Sequence, residues 1–371
     1  MKNFLSVIAV CVSLSACTRT IYISEKSIIH DAEYDSEFPS QPTSDYLEDI
    51  NNSVKMVNTM SSYHGYEFTM KDGPLKSQIR DPKISEKAIK EKYLNSPASG
   101  TATVIFHDPD RVALLTCYHV VQSPDTIINY FLDENGKQTP FIESVYFKVR
   151  HTITVTGVPE VNDFEVLAFD DQKDLAVIGK KYSTKQVLNL SVFTYPKGRA
   201  EELRMGTFVY VFGFPRGERM VGATIVSRAN KDRDHGFVLN TPMHRGISGG
   251  LVMAIRDGIP NFEWVGMVFA VAGERIEYLV PERETEAQPS DVQHPYSGDI
   301  YLNSTRSIVY GITYAVSIES IELFFQESKM ALAAKGFNSD LFLQEKPQGP
   351  RSKESNDLKI RNLLAPNNDG S

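Results

Sequence analysis

Gly246-Ile247-Ser248-Gly249-Gly250, approached through Thr241-Pro242-Met243-His244-Arg245 and left through Leu251-Val252-Met253, is the stretch on which the reading of this chain turns. Three glycines crowd one serine, and apolar residues follow at once. Glycine is used where the backbone takes a positive φ or where another group comes close. A serine held on such a turn offers its hydroxyl to a carbonyl carbon, and the N–H groups beside it form a donor pair for the resulting oxyanion. Taken alone, the pattern equally fits an ordinary glycine-serine turn in a β-rich loop. What sharpens it lies upstream: a histidine, His119, at the end of one apolar strand, and an aspartate, Asp174, at the head of another.

A serine hydroxyl is a poor nucleophile at neutral pH and needs a general base in contact with it. An imidazole suits that task, and a carboxylate fixes its tautomer and stabilises the imidazolium. His119 follows the β-rich run 112–116 through Cys117-Tyr118, where a loop can present it; His107, His151, His235, His244 and His294 lack such a setting. Asp174 precedes Leu175-Ala176-Val177-Ile178, with Asp170 and Asp171 as its nearest rivals. An acid in that place also serves as a plain turn cap.

Working outward, the runs 101–106 and 112–116 flank Asp108-Pro109-Asp110, a turn signal, and read as a hairpin. Further short strands are expected at 127–131, 144–149, 153–156, 164–169, 207–212, 220–227, 236–240, 251–255, 264–271 and 308–316. A helix from 317 to about 334 closes the domain with Ile318, Ile321, Leu323, Phe324 and Phe325 on its apolar face. Many short strands with frequent turns indicate an all-β barrel or sandwich architecture rather than βαβ units. The domain is expected over 97–334, interrupted by a polar loop at about 273–305. Residues 17–96 read as a polar tether with short helices, and 335–371 as a disordered tail.

Of 371 residues, 41% are hydrophobic and 10% aromatic, enough for a substantial core, while a net charge of −8 argues against nucleic acid as a partner. Met1-Lys2-Asn3 followed by the apolar run 4–14 reads as an export signal too short to span a membrane. Its end, Leu14-Ser15-Ala16-Cys17, resembles a bacterial lipoprotein signal. That resemblance implies removal of residues 1–16, a lipid on Cys17 and a membrane anchor; the alternative is an ordinary cleaved signal. Thr18, in place of the aspartate that retains such proteins at the inner membrane, leans towards an outer-membrane, periplasm-facing location. Of the three cysteines only Cys117 then remains in the domain, so no internal disulfide is expected. It reads either as a small buried core residue or as a redox-sensitive thiol beside the site. No metal-ligand spacing or cofactor motif is present.

Taken in order, Thr116-Cys117-Tyr118-His119-Val120-Val121, Lys173-Asp174-Leu175-Ala176-Val177-Ile178 and Gly246-Ile247-Ser248-Gly249-Gly250 resemble the motifs of the trypsin-like serine peptidases. Tyr210-Val211-Phe212-Gly213-Phe214-Pro215, Val221-Gly222-Ala223-Thr224-Ile225-Val226-Ser227, Arg245 and Tyr310-Gly311-Ile312-Thr313-Tyr314-Ala315-Val316 are similar to the bacterial HtrA/Deg branch. The resemblance covers about 97–328. It implies two six-stranded β-barrels with a C-terminal helix and an N-terminal extension. It assigns Ser248 as nucleophile, His119 as general acid and base, Asp174 as orienting carboxylate, and the N–H groups of Gly246 and Ser248 as the oxyanion hole. Val265, Gly266 and Met267 would then pair with the substrate backbone, and Gly311, Ile312 and Thr313 would wall the specificity pocket.

Ile247 departs from the family, which has Asn or Asp before the nucleophile, and from the residues after the last helix PDZ-driven substrate capture is not expected. Pro242, six residues before Ser248, brings no carboxylate to the pocket base, so cleavage after small or medium apolar residues is expected rather than after Arg or Lys. The function implied is an envelope-anchored serine endopeptidase acting on proteins or peptides, with no cofactor; the oligomeric state is left open. Alternatives are a catalytically idle binding module on the same fold, kept open by Ile247, and an esterase. A helix would be expected after an esterase serine, whereas Leu251 opens a strand-like run.

Overall fold

The computed structural model describes residues 31–134, 136–158, 164–182, 189–229, 236–241, 244–281 and 300–342. Alternating burial starts earlier in the chain than composition suggests. After helix α1 (Ser44–Asn52), strand β1 (Val54–Glu67) turns Val57, Thr59, Ser61 and Tyr63 inward at every second position. β1 is hydrogen-bonded on both sides, by β2 (Lys90–Asp108) and by β5 (Gln138–Val155). The stretch expected to be a tether thus supplies a central strand of the first sheet. The cause is tertiary: three of the buried positions carry Thr, Ser or Gly, so the period of two is hidden from a hydrophobicity reading.

The expected hairpin is present. β2 pairs with β3 (Arg111–Cys117) from Ala102↔Thr116 to Asp108↔Arg111, across the Pro109-Asp110 turn. Helix α2 (Tyr118–Val121) follows at once, then β4 (Thr126–Leu132), and later β6 (Glu165–Asp170) and β7 (Leu175–Lys181). The first sheet has seven strands in the order β4-β5-β1-β2-β3-β7-β6, an open sheet where a six-stranded barrel was expected. The difference follows from strand length. β1, β2 and β5 run for 14, 19 and 18 residues, and their far ends build an extra panel with its own apolar cluster of Phe68, Ile84, Ile142 and Val145.

The second lobe is the closed six-stranded barrel expected. Its strands are β8 (Phe208–Gly213), β9 (Met220–Arg228), β10 (Phe237–Leu239), β11 (Leu251–Ile255), β12 (Phe262–Pro281) and β13 (Ile300–Ser317), in the order β10-β13-β12-β11-β8-β9. β12 and β13 keep pairing out to Pro281↔Ile300, so both ends of the segment read as a polar loop belong to a two-stranded arm, and residues 282–299 lie outside the described residues. Such a ribbon needs no apolar alternation, because its backbone groups satisfy one another. The closing helix is α3 (Ile318–Glu327), continued after Ser328 by α4 (Lys329–Ala334). The Ser317 hydroxyl caps α3 by accepting from Ser320 N–H at 3.2 Å. The tail is ordered somewhat beyond the expected boundary, since Phe337 and Phe342 are buried against the domain. Residues 1–30, with the expected export signal and Cys17, and residues 343–371 lie outside the described residues. Among the described residues no helix is long and apolar enough to cross a membrane.

One apolar cluster runs through both lobes, from Val104, Leu114 and Val177 on the first sheet to Phe212, Val252 and Trp264 on the barrel. An N-terminal strap is clamped to the barrel. Tyr34 is buried, its hydroxyl donates to Glu263 at 2.7 Å and accepts from Arg199 N–H at 2.7 Å, and the Arg256 guanidinium lies 4.0 Å over its ring. Burial pushes the Tyr34 phenol well above its ordinary range, so it stays a donor to that carboxylate.

Candidate active site

His119 sits in the four-residue helix α2, directly after strand β3. Two long-range bonds hold the carbonyl end of that short helix. Thr59 Oγ1 donates to the Val120 carbonyl at 2.6 Å, and His151 Nε2 donates to the Val121 carbonyl at 2.9 Å, while His151 Nδ1 accepts from the buried Ser61 hydroxyl at 2.8 Å. Burial pushes the His151 imidazole below its ordinary pKa, in keeping with a neutral ring that donates at one nitrogen and accepts at the other. Sequence reasoning gave His151 no setting and passed over Thr59.

Asp174 closes the turn before β7 with φ 55°, a left-handed conformation that aspartate tolerates better than most residues. The turn aims the carboxylate back at α2. Oδ1 accepts the His119 backbone N–H at 2.8 Å, and Oδ2 lies 2.5 Å from His119 Nδ1. An ionised carboxylate only accepts, so Nδ1 carries the proton and the Nε2 lone pair faces outward. There it meets Ser248 Oγ at 3.0 Å. Asp170, one of the rivals, instead accepts from the N–H groups of Gln172 and Lys173 and so caps the turn. The three residues expected from the sequence are brought together as a serine–imidazole–carboxylate relay. Its imidazole is half exposed, while the carboxylate is mostly covered, at 51% and 20% of side-chain surface.

The turn carrying Ser248 is built on close backbone approach. Gly249 has φ 89°, and a Cβ there would stand 1.9 Å from the Thr101 carbonyl oxygen. Gly246 has φ 99°, and its Cβ would stand 2.4 Å from the Phe214 carbonyl oxygen. Thr101, on β2, ties this turn to the opposite lobe. Its N–H donates to the Ser248 carbonyl at 2.7 Å, its hydroxyl donates to the Gly246 carbonyl at 2.8 Å, and the same hydroxyl accepts from Phe214 N–H at 2.9 Å. Nothing local in the sequence marks Thr101, which sits in an apolar strand like any other threonine. Among the described residues the N–H groups of Gly246 and Ser248 donate to no acceptor, whereas those of Ile247, Gly249 and Gly250 bond to His244, Val268 and Ile247 carbonyls. Ile247, in the place of a polar neighbour, is buried and extends its side chain towards Gly213 and Gly250.

The expected substrate strand needs correction. Gly266 and Met267 are paired with β11 on one side and with β13 on the other, while Val265 sits at the register shift between two β11 pairs; Val265 and Met267 are buried. They have no free edge to offer. The β11 ladder ends at Leu251↔Met267, after which Val268 exchanges two bonds with Gly249 and Gly250. Phe269 and Ala270, just beyond, are partly exposed and keep only β13 as neighbour, so the available edge lies about three residues further on. Gly311 and Ile312 are accessible on β13, while Thr313 is buried, donating to the Thr241 carbonyl at 3.1 Å. Pro242 lies outside the described residues.

Cys117 is fully buried, as one of the two readings has it, with its thiol 3.4 Å from the Val268 carbonyl. Burial, and the Asp174 charge beside it, hold the thiol protonated. Cys117, His119 and Asp174 place one ligand atom each within 4.8 Å of one another, the one described group that could hold a metal ion. An ion there would have to break the 2.5 Å contact between His119 and Asp174 and deprotonate the thiol, so the set suits proton transfer better than coordination.

Residues 100–259 match the family model described as the trypsin-like peptidase domain. Over that stretch, 160 of the 371 residues, the chain is similar to the trypsin-like peptidases. The match begins beside Thr101 and takes in His119, Asp174 and Ser248. Among solved structures, the serine endoprotease from Yersinia pestis is similar at 15% identity and a TM-score of 0.37, over 81% of this chain and 69% of that one. Deg5 is similar at 15% identity and a TM-score of 0.33, over 62% of this chain and 84% of that one. No curated protein matches the sequence.

Proposed function

We propose that the chain is a serine endopeptidase of the bacterial HtrA/Deg kind, held at the cell envelope by a lipid on Cys17. The observation that carries the catalytic part is the relay, with 2.5 Å from Asp174 to His119 and 3.0 Å from His119 to Ser248, in a region that matches the trypsin-like peptidase domain. Ser248 Oγ attacks the scissile carbonyl as its proton passes to His119 Nε2, and Asp174 stabilises the imidazolium. The N–H groups of Gly246 and Ser248 take the oxyanion, an interaction for which one lost donor typically costs about 10²–10³ in rate. His119 then hands its proton to the leaving amine, and water, activated by the same imidazole, releases the acyl group from Ser248.

Protein or peptide substrates follow from that chemistry. The acyl half of the chain lies along the edge opened after Met267, beside Gly311 and Ile312. The anchoring part rests on Leu14-Ser15-Ala16-Cys17 alone, and Thr18 favours the outer membrane. A fluorophosphonate probe tests the catalytic part on a soluble form beginning at Thr18. Labelling of the wild type, lost in Ser248→Ala and reduced in His119→Ala, is expected; an unlabelled wild type would instead support a binding module. Metabolic labelling with a palmitate analogue tests the anchor, and its persistence in Cys17→Ala would refute it.

A further inference from the structure

The first sheet leaves one long edge open, and it leads to the nucleophile. β2 pairs with β1 from Lys90↔Glu67 to Thr103↔Val54 without a break in register, but β3 joins its other side only from Ala102 onward. Residues 90–99 are all exposed, and among the described residues no strand lies against their second edge. The direction of the backbone groups is set by two observations. Val104 N–H donates to Ser53, towards β1, whereas Thr101 N–H donates away from β1, to the Ser248 carbonyl. In an antiparallel ladder this alternates residue by residue. The carbonyls of Glu91, Tyr93, Asn95, Pro97 and Ser99, and every N–H of that set that exists, therefore point to the open side. Pro97 fits this reading, since a proline is tolerated in a strand where its missing N–H would have faced no partner.

Resting on the peptidase reading above, we propose that the open edge of β2, from Glu91 to Ser99, is a docking strand for the polypeptide that the site cuts, taken up by strand addition on the C-terminal side of the scissile bond. Continuity with the catalytic serine carries the argument. The Ser248 carbonyl already occupies the slot opposite Thr101, and Ser99 opens the next free one. The side of the bond follows from which lobe holds what. Gly246, Ser248 and the β12 edge, which keep the acyl half, belong to the barrel; His119, which protonates the leaving amine, stands on the first lobe with β2. A chain crossing Ser248 from one lobe to the other runs on along the edge, for about 27 Å at about 3.3 Å per residue. Recognition is by main-chain hydrogen bonds, so the occupant is an extended or unfolded polypeptide of loose sequence. Tyr93, exposed and stacked on His64 with centroids 4.8 Å apart, offers an aromatic surface beside the added strand.

Fluorescence-quenched peptides test this on the soluble form. Each carries Ala-Ala-Ala-Val before the cut, followed by Ser-Thr or by Ser-Thr-Val-Thr-Lys-Thr-Val-Thr. The longer peptide is expected to have kcat/KM about tenfold higher, equivalent to about 1.4 kcal/mol. That ratio should fall to about one when alternate backbone nitrogens of its C-terminal half are methylated, and again in Asn95→Pro, which deletes an outward N–H along with one exposed side-chain bond from Ser62. Equal kcat/KM for both peptides overturns the docking strand and leaves the peptidase standing. If neither is cut, anisotropy with Ser248→Ala decides: binding of the longer peptide alone, lost in Asn95→Pro/Ser248→Ala, upholds the edge and refutes the peptidase. Sedimentation showing that Asn95→Pro converts a dimer to a monomer, with the peptide ratio unmoved, assigns the edge to a second copy and overturns the proposal.

Discussion

Replacing Thr101 by valine changes no atom that touches substrate, yet it should disable the nucleophile turn. Valine keeps the shape of threonine and removes one hydroxyl, which donates to the Gly246 carbonyl at 2.8 Å and accepts from Phe214 N–H at 2.9 Å. Thr101 is fully buried, so both partners are left unpaired with little access to water. An unsatisfied buried group costs about 1–3 kcal/mol, so the pair should cost about 3 kcal/mol of stability. The effect on chemistry comes through Gly246, whose carbonyl is held by Thr101 and whose N–H is half of the proposed oxyanion hole. Complete loss of one such donor is worth about 10²–10³ in rate, and a donor merely released from its anchor should cost about tenfold to a hundredfold. Chemical denaturation and the second-order rate of fluorophosphonate labelling read the two effects separately. Thr101→Ser, which restores the hydroxyl but not the methyl that packs near Gly213, should recover most of the labelling rate and only part of the stability. The reasoning fails if Thr101→Val labels at the wild-type rate, or if Thr101→Ser is as slow as Thr101→Val.

Gly249→Ala should cost at least about 3 kcal/mol and abolish labelling, because the new Cβ meets backbone oxygen at 1.9 Å and φ is 89°; a folded, labelled variant in a denaturation series would count against the turn described. Tyr34→Phe should cost about 1–2 kcal/mol by leaving Glu263 and Arg199 N–H without the phenol, seen as earlier unfolding with labelling unchanged. Burial lowers the pKa of both His107 and His151, so the unfolded chain binds more protons than the folded one below about pH 6.5. Their contribution is complete above that pH and is lost as pH falls through the folded values. The melting temperature should decline from pH 7 to 5, before Asp108 and Glu202, whose pKa values ion pairs depress, begin to titrate. His151→Gln, which keeps a donor for Val121, should flatten that decline, and an unchanged slope would refute the assignment.

The relay was legible because each of its parts is written locally. Turn residues and a period of two place His119 after β3 and Asp174 before β7, and glycines flanking Ser248 mark a backbone that must pass close to another. What escaped was written in partners far along the chain. β1 looked like tether and helix because Thr59, Ser61 and Gly65 stand on its buried side. They belong there because the Thr59 and Ser61 hydroxyls bond to Val120 and His151 around helix α2, and Gly65 lies under Tyr146. Polarity that hides the strand from a hydrophobicity reading is thus the same polarity that positions His119.

The free edge of β12 lies about three residues beyond the expected one for a related reason. Which part of β12 is free depends on where the β11 ladder stops, and it stops where Val268 turns to bond Gly249 and Gly250. A glycine that lets the serine turn approach Thr101 on one side therefore also ends the ladder on the other. The position of the nucleophile and the position of the open edge are a single geometric outcome. A change that relaxes Gly249 should accordingly disturb substrate pairing and serine reactivity together rather than either alone.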